Sequence, residues 1–271
     1  MIRQLKQNGI IWLDLERPSM TDVEKLAGQY KLPDKIKARL AMNTPPVETG
    51  AEFFTIDDYG YLALPWPASS FADQKTDSVT IVRFIIGSKL IVTLHDRPIA
   101  ALAEFSRIFQ PANRRKQPII GRDSPAGFIL GGILNDLYLS LLKEIKAEDQ
   151  KLKLLHRQPV SARLTHLKKN RQDINSRQKL INVHEPTIRR LIPACLHFFG
   201  PREQNGLLIK RRFLALQKAL SALKRLSLTL KYQNEIILLI TTDRTFRRRQ
   251  RFFGLGLFIL IIMVWLIIFY R

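Results

Sequence analysis

Acidic residues are scarce in this sequence and cysteine is nearly absent. Its 271 residues hold 44 Lys plus Arg against 23 Asp plus Glu, and the single cysteine is Cys195. A lone cysteine excludes a disulfide-stapled fold. Catalytic signatures are also missing: there is no Gly-x-x-x-x-Gly-Lys loop, no His-Glu-x-x-His and no Gly-x-Ser-x-Gly. The histidines His95, His156, His166, His184 and His197 are scattered rather than paired at metal spacing, and read as single polar surface residues. Cys195 reads as a small buried hydrophobe. We therefore expect a non-enzyme with no required cofactor. With 46% hydrophobic residues the chain has enough apolar surface to fold, which excludes wholesale disorder.

The basic excess, +21 overall, is unevenly spread. Residues 1–125 carry 17 basic and 14 acidic side chains, a net +3, and residues 126–271 carry 27 and 9, a net +18. A near-neutral first half suits an ordinary soluble domain, whereas the second half must face something anionic or spread its repulsion over an elongated shape. Nucleic acid is a poor fit, because Lys143–Arg190 lacks the interleaved aromatics on which bases stack.

A mean hydropathy of −0.07 conceals a local extreme. Phe252–Tyr270 is 19 residues without a charge, a proline or any Ser, Thr, Asn or Gln. At ~1.5 Å per residue it reaches ~28 Å, the thickness of a hydrocarbon core. Arg244, Arg247, Arg248, Arg249 and Arg251 precede it and only Arg271 follows. The positive-inside rule then places the body in the cytoplasm, the C-terminus outside, and the arginine collar among lipid headgroups of the cell's inner membrane. The apolar core of Met1–Ile11 is too short for a cleavable signal peptide.

Gly9–Leu15 is strand-like, and Ser19-Met20-Thr21-Asp22 is a capping box for a helix to about Tyr30, closed by Pro33. Phe53–Ile56 and Tyr61–Leu64 are short strand candidates, separated by Asp57-Asp58-Tyr59-Gly60 as a turn. Val79–Ile86 and Leu90–Leu94 flank Gly87-Ser88, read as a two-residue hairpin turn with glycine at positive φ. Pro98 opens a helix to about Phe109, and the proline-rich stretch 110–125 is a linker. Beyond it, Leu130, Leu134, Leu137, Leu141 and Ile145 mark an amphipathic helix ending before Pro159. A basic helix from Arg163 to about His184 follows, interrupted at Pro186 and Pro193.

Ile209, Phe213, Leu216, Leu220, Leu223, Ser227, Leu230, Asn234 and Ile237 then alternate steps of four and three. Periodicity alone fits packing on the chain's own helices as well as self-association. Polar Ser227 and Asn234 at equivalent seam positions favour an oligomer seam, since buried polar residues fix register and copy number. An unbroken helix over 207–270 would be ~96 Å long.

Several of these segments resemble the CorA family of magnesium channels. The likeness rests on Trp12-Leu13-Asp14-Leu15 with Pro18, on the Thr80–Leu94 hairpin, on His95 with Pro98, and on Ala101-Leu102-Ala103-Glu104-Phe105. It covers about residues 10–240. The resemblance implies a homopentamer that passes hydrated Mg²⁺, and often Co²⁺, into the cell, with Mg²⁺ also acting as a regulatory ion. It implies an α+β architecture: a cytoplasmic α/β domain (1–125), a helical region (126–206), a stalk helix with a basic collar (207–251) and one transmembrane helix (252–270).

Members of that family carry Gly-Met-Asn after the first of two membrane helices, and this sequence has neither that motif nor a second adequate span. Either the single span replaces the pore helix, or the pore helix is lost and the span is the outer one. The second alternative is favoured, because an aliphatic bore dewets. Asp243, the only carboxylate near the inner mouth, is a weak metal candidate beside Arg244, Arg247 and Arg248. The sequence thus supports a CorA-like divalent-cation transport protein. The alternative is a non-conducting, membrane-anchored scaffold or regulatory subunit working with a second membrane subunit.

Overall fold

A computed structural model describes residues 2–7, 9–42, 50–67, 79–108, 126–155, 159–198 and 203–269. Six strands, β1 (Ile2–Gln7), β2 (Ile10–Glu16), β3 (Glu52–Ile56), β4 (Tyr59–Pro67), β5 (Val79–Ile86) and β6 (Leu90–His95), form one sheet in the order β1-β2-β6-β5-β4-β3. The β2–β6 pair is parallel and the other pairs are antiparallel. Helices α1 (Met20–Gln29), α2 (Asp34–Ala41) and α3 (Ala100–Ile108) accompany the sheet. Three longer helices follow: α4 (Ala126–Leu154), α5 (Val160–Phe198) and α6 (Glu203–Phe269). The architecture is the expected α+β one, a mixed sheet and then long helices.

The alternation of strand residues assigns the two faces. Leu13, Leu15, Tyr61, Ile85, Val92 and Leu94 pack with Val23, Leu26, Ile36 and Leu40 of α1 and α2. On the opposite face Trp12 meets Phe105 of α3 edge to face, with ring centroids 5.3 Å apart. Leu62, Leu64, Val82 and Phe84 there are all fully buried. In α4, Gly132 lies against the Phe105 ring, and a Cβ on its neighbour Gly131 would sit 3.2 Å from Arg212 Cβ of α6. Two adjacent glycines thus admit two different neighbours.

The chain divides into two compact units, Met1–Glu148 with Ser176–Ser227, and Asp149–Asn175 with Leu228–Arg271. The division cuts through α4, α5 and α6 rather than falling at 125.

Several local expectations hold. Ser19 caps α1, with both halves of the capping box made, and Asp57, at φ 49°, turns β3 into β4. Others need correction. Pro33 does not merely close α1; it stands at the N-cap of α2 with φ −59°, pre-set for a helix start. Gly87 has no positive φ; its small size serves the Tyr59 ring, 3.1 Å from where a Cβ would sit. Pro186 and Pro193 do not interrupt α5, which runs through both. Each removes one helical hydrogen bond, but burial of Ile181, Ile188, Leu191 and Cys195 along one face outweighs that loss. The 110–125 linker, His156 and the side chain of His197 lie outside the described residues.

Candidate functional site

In the first unit, charge is concentrated at the carboxyl ends of the parallel pair β2 and β6. The register sets Asp14 beside Thr93 and Glu16 beside His95, and β1 brings Arg3 opposite Asp14. Asp14 and His95 are each 2% exposed. His95 Nε2 is 3.1 Å from Asp14 Oδ1, and Nδ1 is 2.5 Å from the Arg97 carbonyl. The Arg97 carbonyl and an ionised Asp14 only accept, so this geometry suits the imidazolium, in which both ring nitrogens donate. Burial alone would lower its pKa. The hydrogen bond and charge of Asp14, helped by the Arg97 carbonyl and Glu16, overcome that and hold it above the usual histidine value.

Thr93 Oγ1 donates to Asp14 Oδ1 at 2.5 Å and accepts from Trp12 Nε1 at 3.3 Å. Arg3 completes the cluster at 3.8 Å from both Asp14 Oδ2 and Glu16 Oε2. A cavity of about 320 Å³ opens beside it, and Glu144 of α4 also lines it. Burial raises the Glu144 pKa against the opposing pull of Arg177, whose Nη2 is 3.3 Å away.

A second buried histidine works the other way. His184 Nε2 donates to the Pro65 carbonyl at 2.7 Å, leaving Nδ1 to accept from the Tyr138 hydroxyl at 2.9 Å. The ring stacks on Trp66, 5.8 Å between centroids. Burial holds it neutral, with its pKa pulled down to about 4. His95 and His184 are therefore not the surface residues expected, because each finds partners inside the fold. Cys195 is the buried hydrophobe expected, and burial pushes its thiol pKa up.

The α6 seam is closed within the chain. Ile209, Phe213, Leu216 and Leu223 are at most 1% exposed, Leu220 is 6% and Ser227 2%, all in the first unit. In the second unit Leu230 is 1% exposed and Asn234 0%, and Ile237 is partly buried. Asn234 Nδ2 donates to the Leu167 carbonyl at 3.1 Å, and Asn170 Nδ2 donates to Asn234 Oδ1 at 3.4 Å. The polar seam residue thus fixes α5 against α6 of the same chain, and association between copies needs another face of the helix. Leu207, Leu214, Leu228, Tyr232, Ile236 and Leu239 are between 40% and 68% exposed and lie off the seam.

Asp243 is exposed on α6, and no group of three or more His, Cys, Asp or Glu able to hold a metal occurs among the described residues. The backbone of α6 continues through Phe269, carrying the collar and the apolar run as one helix. The side chains of Arg244, Arg247, Arg248, Arg249 and Arg251 lie outside the described residues. Among the described residues α4 also has the length and composition of a membrane span, but its most apolar stretch is 72% buried, as a core helix is.

The profile of the CorA-like Mg2+ transporter protein family matches residues 7–193, more than half of the chain. The chain belongs to that family. Its fold is similar to the complete CorA magnesium transporter of Methanocaldococcus jannaschii, at 14% identity and TM-score 0.67, over 90% of this chain and 73% of that one. It is similar also to the ZntB cytoplasmic domain of Vibrio parahaemolyticus, at 15% identity and TM-score 0.62, over 89% and 88%. The full-length CmaX protein matches at 13% identity and TM-score 0.66, over 90% and 71%. No curated protein matches at a significant level.

Proposed function

We propose that the protein acts in divalent-cation transport across a membrane, with the sheet and helices on the cytoplasmic side and residues 252–270 crossing the bilayer. The observation that carries this reading is the family match over residues 7–193, supported by the common fold. Mg²⁺, or Co²⁺ in its place, is the cargo, and Mg²⁺ is also the candidate regulatory ion. The working form is a homo-oligomer, five copies by family resemblance.

A specific feature favours a second reading. Beyond backbone, the 19-residue run offers a hydrated ion only the Trp265 indole N–H and the Tyr270 hydroxyl, and no carbonyl, amide or carboxylate side chain, so the chain would serve as an anchored, non-conducting subunit beside a second membrane protein. Reconstituting the full chain alone in liposomes holding a Mg²⁺-sensitive dye separates the two. Flux of Mg²⁺ or Co²⁺ down its gradient supports autonomous transport. Empty-liposome rates at every internal Mg²⁺ level refute it and leave the anchored subunit. A reporter fused after Arg271 should be accessible only from outside the cell; a cytoplasmic reporter overturns the topology.

A further inference from the structure

We propose that the end of the α4–α5 hairpin docks on the headgroups of an anionic bilayer beside the point where α6 enters it. The inference rests on the reading that 252–270 spans a membrane. It starts from how charge divides between the two compact units. The second unit, 149–175 with 228–271, holds 14 Lys plus Arg against 4 Asp plus Glu, a net +10. The first unit carries the remaining +11 on nearly three times as many residues.

Two asparagines set the level of the hairpin along α6. Asn234 of α6 meets Leu167 and Asn170 of α5. Within the first unit Glu185 of α5 meets Lys224 of α6, while Ile188 and Arg189, later in α5, share a groove with Gln217 and Leu220, earlier in α6, so the two helices run antiparallel there. From Asn170 back to Val160 is ~15 Å, and from Asn234 forward to Phe252 is ~27 Å, at ~1.5 Å per residue. Val160, where α5 begins, therefore lies ~12 Å short of the hydrocarbon along α6. A headgroup layer ~5–8 Å deep and a Debye length of ~8–10 Å bring charges at that level within the field of the lipid.

The side chains suit that position. Lys151 and Lys153 lie in the last turn of α4, and both are exposed. The nearby acid, Asp149, is held by Lys153 at 2.6 Å. Leu154 is 53% exposed next to Leu155, which is 1% exposed. An exposed leucine among lysines is the pairing that interfacial segments use, with apolar contact at the headgroup boundary and charge on the phosphates.

The test uses the full chain with a bimane on Ala162→Cys, an exposed site in the first turns of α5; buried Cys195 should not label. The protein is placed in phosphatidylcholine vesicles with or without phosphatidylglycerol, each containing a headgroup-located quencher lipid. Flotation first reports insertion. A chain that does not float with the vesicles refutes the span and this proposal together. For an inserted chain, quenching should appear with phosphatidylglycerol, fade in high salt, and be absent in pure phosphatidylcholine. Lys151→Gln with Lys153→Gln should lower the contact equilibrium about fivefold per residue, with helical circular dichroism unchanged. Insertion with equal quenching in both lipids, or with no loss in the double variant, overturns the docking and leaves the span intact. A bimane shift produced only by added oligonucleotide assigns the patch to nucleic acid, and also overturns it.

Discussion

Replacing Asp14 by Ala would strip a buried imidazolium of its hydrogen-bonded counter-charge, leaving Glu16 as a more distant one. Asp14 and His95 are both 2% exposed and 3.1 Å apart, so neither charge is recovered by solvent. Breaking a buried pair from one side costs about 3–5 kcal/mol. The Lys37–Asp34 pair is a control at a similar distance, 2.8 Å, but its side chains are 46% and 96% exposed, so water screens it and recovers either charge when the other is removed. In detergent-solubilised full chain, Asp14→Ala should lower the unfolding midpoint by ~6–20 °C, at ~2–4 °C per kcal/mol for a unit of this size. Asp34→Ala should barely move it.

The pH dependence provides the signature that loss of packing would not. The folded pKa of His95 is raised, so its stabilisation is fully present below the ordinary histidine value near 6.5 and is lost as pH rises through the folded value. Asp14, Glu16 and Arg3 on the sheet face this ring, and Glu144 on α4 shares its cavity. The wild-type midpoint should fall on the alkaline side, and the fall should disappear in Asp14→Asn with His95→Gln, where no charge is buried. An Asp14→Ala loss no larger than that of Asp34→Ala, or the same alkaline fall in the double variant, would refute the buried ion pair.

His184 gives the opposite slope: with its folded pKa near 4, the unfolded state binds the proton first, so stability drops by about 3 kcal/mol as pH falls from ~6.5 to ~4. His184→Phe should flatten that acid limb in the same melting assay, and an unchanged limb counts against the neutral ring. Leu216 is fully buried and Leu214 is 52% exposed on the same helix turn. Leu216→Asp should therefore unfold the first unit, at more than ~3 kcal/mol, while Leu214→Asp leaves its midpoint within ~0.5 kcal/mol of wild type. Equal effects of the two substitutions would mean that the seam does not face inward.

Elements that follow from local chemistry were legible in the sequence. The Ser19 capping box, the Asp57-Asp58 turn and the period of α4 depend on residues a few positions apart. What was missed depends on partners far along the chain. His95 meets Asp14 across 81 positions and His184 meets Pro65 across 119, and no local pattern marks either ring as buried. Asp14 did carry a signal. A carboxylate in the apolar run Ile10-Ile11-Trp12-Leu13, on the Trp12 face of the strand, needs a buried donor. The seam was legible as a seam, but period alone does not say whose helix fills it. Asn234 has its partner in α5 of its own chain.

The location of the charge bears on transport itself. A divalent ion ~10 Å from one uncompensated positive charge is opposed by ~0.8 kcal/mol in water before screening, and the second unit without Arg271, which the proposed topology puts across the membrane, has a net +9. If the span enters the membrane as proposed, an ion approaching along α6 meets that field at its strongest, where the arginine collar precedes Phe252. Headgroups bound by Lys151, Lys153 and the collar would cancel part of it. Lipid docking and cation access would then be coupled through the same side chains. The anionic lipid that holds the hairpin down would also lower the barrier to Mg²⁺, and flux measured only in neutral lipid would understate what the chain can do.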